Sequence, residues 1–172
     1  MLEIVQALAI AVIVSLTLNL FVVQVTEVRQ RSMEPTLLQA DRVLVGKLDY
    51  RFGTPQRGDI VVFNPIGPGI EPGVAFVKRV VAVAGDIVDL RDGQLFVNDA
   101  RADYPEAHGA TLPENPAYRY PLTIPAGQYF ACGDNRAASS DSRQFGPQPV
   151  PDIIGKVVLR FWPLDRLRFF AW

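Results

Sequence analysis

Residues 74–97 read VAFVKRVVAVAGDIVDLRDGQLFV, and the succession of apolar runs and breakers in them decides the fold class. A β-branched run over residues 74–84 stops at Gly85-Asp86, a second over 87–90 stops at Asp92-Gly93, and a third over 94–97 stops at Asn98-Asp99. Short runs of this composition, closed by Gly, Asp and Asn at hairpin distances, are strands joined by tight turns. Outward from this stretch the same pattern recurs over residues 42–45, 59–63, 128–132 and 154–161, so a mostly β domain is expected. Residues 100–125 are different. Pro105, Pro113, Pro116, Pro121 and Pro125 stand there among polar residues, which predicts a long irregular excursion. Phe161-Trp162-Pro163 and Phe169-Phe170-Ala171-Trp172 predict a final packed segment, with contact to lipid headgroups as the alternative.

Residues 4–25 carry no charged side chain. At about 1.5 Å per residue a helix over that run is about 33 Å long, enough for a bilayer core. A buried core helix is the bland reading, but the run is apolar all round, with Ser15, Thr17 and Asn19 as sparse exceptions. A cleaved signal peptide fits poorly: no Lys or Arg precedes the run, it is longer than the about 7–15 residues of a signal core, and no small-x-small site follows. The expected organisation is therefore a transmembrane anchor over residues 1–26 and a β-rich domain over 27–172. Arg29, Arg31 and Arg42 follow the run while Glu3 precedes it, and taken alone that asymmetry argues for a domain on the cytoplasmic side.

The chain has 172 residues, room for one anchor and one core. Its 17 basic and 18 acidic side chains and 49% apolar content exclude intrinsic disorder and a strongly basic nucleic-acid binder. The single cysteine, Cys132, cannot close an intramolecular disulfide or by itself build a thiolate zinc site. No metal or other cofactor is expected. Any Ser-His chemistry would have to use the single histidine, His108, which lies in the Pro-rich excursion, and any lysine chemistry must use Lys47, Lys78 or Lys156.

Three segments carry reactive side chains. Ser32-Met33-Glu34-Pro35-Thr36-Leu37 places a hydroxyl before a proline-fixed turn; on its own it reads as a turn-capping serine. Lys78 stands in the apolar run over residues 74–84. Desolvation there would lower the amine pKa and make it a general base, although a lone lysine in a strand more often snorkels to water. The stretch over residues 133–146 is dense in turn formers, hydroxyls and charge, and alone it is a polar loop.

Together, in this order and directly behind an apolar N-terminal run, the segments resemble the bacterial type I signal peptidases, serine endopeptidases with a Ser/Lys dyad. Ser32 to Leu37 matches the family's nucleophile box, Lys78-Arg79 with Gly85-Asp86 matches its lysine box, and Gly133-Asp134-Asn135 with Ser139, Asp141, Ser142 and Arg143 matches its third box. The resemblance extends to about Trp162. It implies a fold of the signal peptidase and LexA-like type on the outer face of the cell membrane, with Ser32 as nucleophile, Lys78 as general base and Ser139 as a hydroxyl orienting the amine. Asp141 and Arg143 would form a structural ion pair. The implied partners are signal-peptide-bearing preproteins and the lipid bilayer, with no nucleic acid. This sequence departs from the family at Ala137-Ala138, at Ala84 and at Gln30. At Gln30 some members carry a serine that helps hold the oxyanion, so the backbone N–H of Ser32 and the Gln30 amide are the candidate donors.

An extended substrate along a sheet edge would meet shallow pockets built from Val28, Met33, Leu37, Phe76 and Val77, sized for alanine-like side chains. The rival readings are a self-cleaving LexA-type regulator, disfavoured by the apolar N-terminus in place of a helix-turn-helix, and a tethered β-domain without activity.

Overall fold

The computed structural model describes residues 2–17, 22–67, 69–71, 73–102 and 104–170. Its strands are β1 (Val23–Glu27), β2 (Arg42–Gly46), β3 (Ile60–Phe63), β4 (Phe76–Val83), β5 (Ile87–Arg91), β6 (Gln94–Val97), β7 (Ala100–Arg101), β8 (Leu122–Thr123), β9 (Gln128–Cys132), β10 (Gln148–Pro149), β11 (Ile153–Trp162) and β12 (Arg168–Phe169). Helix α1 covers Leu2–Thr17, and the one-turn helices α2 and α3 cover Asp49–Phe52 and Ser142–Phe145. The larger sheet runs β1-β2-β11-β3-β4-β9-β10 with β12 beside β11; the smaller runs β7-β6-β5-β8.

The hairpins form where the turn residues predict them. Asp92 and Gly93 between β5 and β6, and Asn98 and Asp99 between β6 and β7, all take positive φ, the conformation that two-residue hairpin turns require. Strand β4 lies between β3 and β9 and is buried along nearly its whole length, which explains its continuous apolar run. Side chains of β2, β3 and β11 (Val43, Val45, Ile60, Val62, Val157) close one core with Val28, Met33, Leu37 and Val77. Two further clusters fill the space between β4, β9 and α3, and between β4, β9 and the smaller sheet. Lys78 and Arg79 are thus held inside an apolar layer, where a charge needs a partner or loses its proton.

One expectation changes at the N-terminus. Residues 23–25, read as part of the anchor, belong to β1 and pair with β2 from Val23 opposite Gly46 to Glu27 opposite Arg42, so the sheet begins inside the apolar run. β-Branched residues serve a strand as well as a membrane helix, and pairing to β2 decides between them. Among the described residues no helix is long and apolar enough to cross a membrane; α1 is 16 residues long, and residues 18–21 of the predicted span lie outside the described residues.

The excursion over residues 100–125 is irregular apart from β7 and β8. It is tied down at His108, whose N–H donates to the Asp134 carbonyl and whose carbonyl accepts from Arg136 N–H, both at 2.9 Å. The C-terminal segment packs only in part. It adds β12 to β11 and lays Phe170 on the core, while Trp162 and Phe169 stay exposed; Ala171 and Trp172 lie outside the described residues.

Candidate active site

Ser32 opens a loop pinned at both ends. Val28 N–H donates to the Asp41 carbonyl and Ala40 N–H to the Val28 carbonyl, each at 2.8 Å. The Asp41 carboxylate accepts from Leu38 N–H and pairs with Arg166 and Arg160. A second set of bonds joins this loop to β4. Asp134 takes a bidentate pair from Arg79 at 2.7 and 2.8 Å and the Thr36 hydroxyl on the same carboxylate, and Asn135 N–H donates to the Ser32 carbonyl at 2.9 Å. Arg79 is the strand neighbour of Lys78, so this network sets the distance between the serine loop and the lysine strand. Its members Thr36, Arg79, Asp134 and Asn135 all stand in the three boxes, but the sequence carries no sign that they bond to one another.

Lys78 Nζ lies 2.6 Å from Ser32 Oγ and 3.3 Å from Gln30 Oε1. Ser32 is 3% exposed and Lys78 fully buried. Burial lowers the amine to about 8; the Asp141 carboxylate and Cys132 push it partly back up, and Arg143 lowers it again. An amine so placed loses its proton within reach of neutral pH and can then take the serine proton. His108 does not compete as the base. Its ring is exposed, its Nδ1 sits 3.5 Å from the Glu106 carbonyl, and among the described residues it has no hydrogen bond to Ser32 or Lys78. Lys156 pairs with Asp59 at 2.8 Å.

Behind the lysine lies a buried scaffold. Arg143 reaches Asp141 through Nε at 2.8 Å and Nη2 at 2.9 Å, and donates to the carbonyls of Arg136 and Ser139. Asp141 also accepts from Gly133 N–H at 3.0 Å. The ion pair expected of Asp141 and Arg143 is present, with both side chains buried. The Ser139 hydroxyl donates to Asp141 Oδ2 at 2.7 Å, which leaves its oxygen lone pairs as acceptors on the lysine side. Asp141→Ala should leave the buried Arg143 with the half-buried Glu114, 2.9 Å from its Nη1, as its charged partner, beside the carbonyls of Arg136 and Ser139. A loss of about 3 kcal/mol is expected, the scale for breaking a buried pair, and urea unfolding measures it.

The serine opens onto a groove of about 410 Å³ between residues 24–30 and residues 73–77. Of the residues expected to form pockets, Val28, Met33 and Val77 line this groove, with Val62, Val74 and Gln30 in addition. Leu37 does not: it is fully buried in the core beneath Met33 and Val28, because the loop's own turn directs it inward, its N–H bonded to the Met33 carbonyl at 2.8 Å. Phe76 also lies elsewhere. Alternation along β4 sends it away from Val77 into a second hollow of about 330 Å³ with Ile70, Glu71, Ser140 and Gln144, which meets the first at Gln30 and Val74.

Several known proteins are similar to this chain. Residues 1–162 match the family model described as signal peptidase, peptidase S26. The chain is 37% identical over 174 residues to probable signal peptidase I-2 of Synechocystis sp., covering 96% of this chain and 75% of that protein. It is 35% identical over 179 residues to signal peptidase I of Leptolyngbya laminosa, covering 97% and 82%. The crystal structure of a signal peptidase I from Enterococcus faecalis superimposes with a TM-score of 0.47 at 30% identity, covering 60% of this chain and 97% of that one. With a family match across nearly the whole chain and relatives covered over most of their length, this protein belongs to the signal peptidases of the S26 family.

Proposed function

We propose that Ser32 and Lys78 are the catalytic dyad with which this signal peptidase cuts exported preproteins after small residues, at the outer face of a cell membrane to which the N-terminal apolar segment tethers it. The observation that carries the reading is the 2.6 Å contact between a buried amine and a buried hydroxyl at the end of an apolar groove. Neutral Lys78 takes the proton of Ser32 Oγ as that oxygen adds to the scissile carbonyl. The oxyanion accepts from the backbone N–H of Ser32 and from the Gln30 amide N–H₂, whose partner oxygen faces the lysine. Collapse breaks the C–N bond, and the Lys78 ammonium gives its proton to the departing amine. Water, deprotonated by the again neutral amine, then hydrolyses the ester and releases the signal peptide with Ser32 restored. The chain before the cut lies in the groove beside Val28 and Val77, and the chain after it passes Gln30 toward the second hollow.

An extended peptide turns the residue before the cut and the one two places earlier to the same face. Both therefore point at the shallow wall formed by Val28, Met33 and Val77. Phenylalanine at either position should stop cleavage of a purified precursor, while the position between them tolerates large side chains. Mass spectrometry of the products reads the cut site, and equal processing of the phenylalanine substrates would exclude the small-pocket reading.

A further inference from the structure

We infer that Glu71 makes the second hollow a subsite for a basic side chain, lysine or arginine, on the side of the cut that becomes the new N-terminus. The inference rests on the dyad reading and on the course given there to the substrate, and it adds a specificity that the three boxes do not carry. The hollow of about 330 Å³ shares Gln30 and Val74 with the groove, so a chain that leaves Ser32 past Gln30 runs into it. Ile70, Val74 and Phe76 give it apolar walls, Ser140 and Gln144 a polar side, and among the described residues Glu71 is the one charged side chain that lines it. A lysine or arginine suits such a place twice over: its methylene stem lies on the apolar wall and its cationic head reaches the carboxylate. The Glu71 charge is also uncommitted. Among the described residues its carboxylate makes no hydrogen bond or ion pair, whereas Glu106, Glu114 and Asp141 are each paired with an arginine.

A charge discriminates between substrates only if its backbone is held in place, and the loop that carries Glu71 is fastened on both sides. Before it, the buried Gln148 clasps Ile66 with both edges of its carboxamide, accepting from Ile66 N–H at 2.7 Å and donating to the Ile66 carbonyl at 3.0 Å. Gly67 then lies so close to α3 that an added β-carbon would come within 2.7 Å of Phe145 Cβ, and Ile70 packs on the cluster that contains Phe145. After it, Phe76 enters β4 opposite Phe63, with its ring edge-on to Phe145 at 6.2 Å. The facing side of the hollow is tied down as well. Ser140 Oγ donates to Gln144 Oε1, and the Gln144 carbonyl accepts from Asn115 Nδ2 at 2.7 Å. The carboxylate is thus presented from a fixed loop over a fixed wall, at the edge of water, where one opposite charge can settle against it.

The test uses the full chain in detergent micelles and peptides with an Ala-x-Ala site in which lysine or glutamate stands in turn at the first, second or third residue after the cut. Lysine and glutamate peptides compete in one tube, and mass spectrometry gives the ratio of their kcat/KM values. Neighbouring side chains of an extended peptide face opposite ways, so the lysine preference should appear at one position and be absent from the position next to it. At low salt it should be about fivefold, the upper end for a solvent-exposed ion pair, and 1 M sodium chloride, with a Debye length of about 3 Å, should bring it close to one. Glu71→Gln should abolish the preference and Glu71→Lys should reverse it in favour of glutamate. Asp92→Asn, which removes an exposed carboxylate from the β5–β6 turn of the smaller sheet, should leave it unchanged. A ratio that is the same in the unaltered chain and in both Glu71 variants, a preference equal at all three positions, or a shift in Asp92→Asn as large as in Glu71→Gln overturns the inference. Cleavage that persists in Ser32→Ala would instead remove the dyad reading, and that result is read from the presence of product and not from the ratio.

Discussion

Ser32→Ala and Lys78→Ala should each lower the maximal rate of precursor cleavage by about 10⁴ to 10⁶, and the double variant should be no worse than either, because the two groups act as one unit. The proton transfer that starts the reaction spans the 2.6 Å between them, and removing either end leaves only binding and oxyanion contacts. Single-turnover cleavage of a peptide with an Ala-x-Ala site measures this, with circular dichroism showing the fold retained. Lys47→Ala, Lys156→Ala and His108→Ala should remain active. The pH dependence has a defined sign. The base must be neutral, so in the free enzyme activity rises with pH through about 8, where burial holds the amine. Stability runs the same way. The amine's ordinary value of 10.5 is lowered in the folded chain, so between about 8 and 10.5 the unfolded chain binds more protons and stability increases with pH; below about 8 the full penalty of burying the ammonium is present. A dead Lys156→Ala together with an active Lys78→Ala would assign the base elsewhere.

Gly133→Ala should be damaging without touching a reactive atom. A β-carbon at Gly133 would overlap the Ser32 carbonyl oxygen and Ser139 Oγ and would lie 2.7 Å from Ser139 Cβ. The serine side chain can rotate, but the carbonyl is backbone, held by Asn135 N–H at 2.9 Å, so the nucleophile loop itself must move. Displacing a reacting group by about 1 Å costs about a hundredfold in rate, and forcing a methyl into a packed site costs about 1–3 kcal/mol in stability. The expected result is a kcat/KM at least about a hundredfold down on that scale, accompanied by a lower Tm. Full activity in Gly133→Ala would mean that the loop and the third box are not rigidly docked.

What is readable without coordinates is local. Hairpin turns at Asp92-Gly93 and Asn98-Asp99 depend on residues that accept positive φ, and strand β4 announces itself by an apolar run too continuous for a half-exposed strand. Lys78 stands out because a charge inside such a run must be either desolvated or displaced. Ser32 and Lys78 are named from the boxes and Gln30 as a departure just before the first of them, and they meet across sequence separations of 46 and 48 residues. The start of the sheet is less legible: residues 23–25 continue an apolar run, and composition is the same for a strand and the end of a membrane helix.

Sequence by itself determined the mostly β architecture and the turn positions, since each follows from residue type and short-range order, and the order of the three boxes, through the family resemblance, named the amine and hydroxyl proposed to react. The tertiary structure alone decided which neighbours those groups keep. Leu37 turned into the core, Phe76 fell into a second hollow, the Ser139 hydroxyl donates to Asp141, and the Gln30 side-chain oxygen faces Lys78. Those outcomes depend on competition among acceptors and on side-chain direction across the β4 and Ser32 loop contact. That competition is settled by distances of a few tenths of an ångström, which only packing establishes.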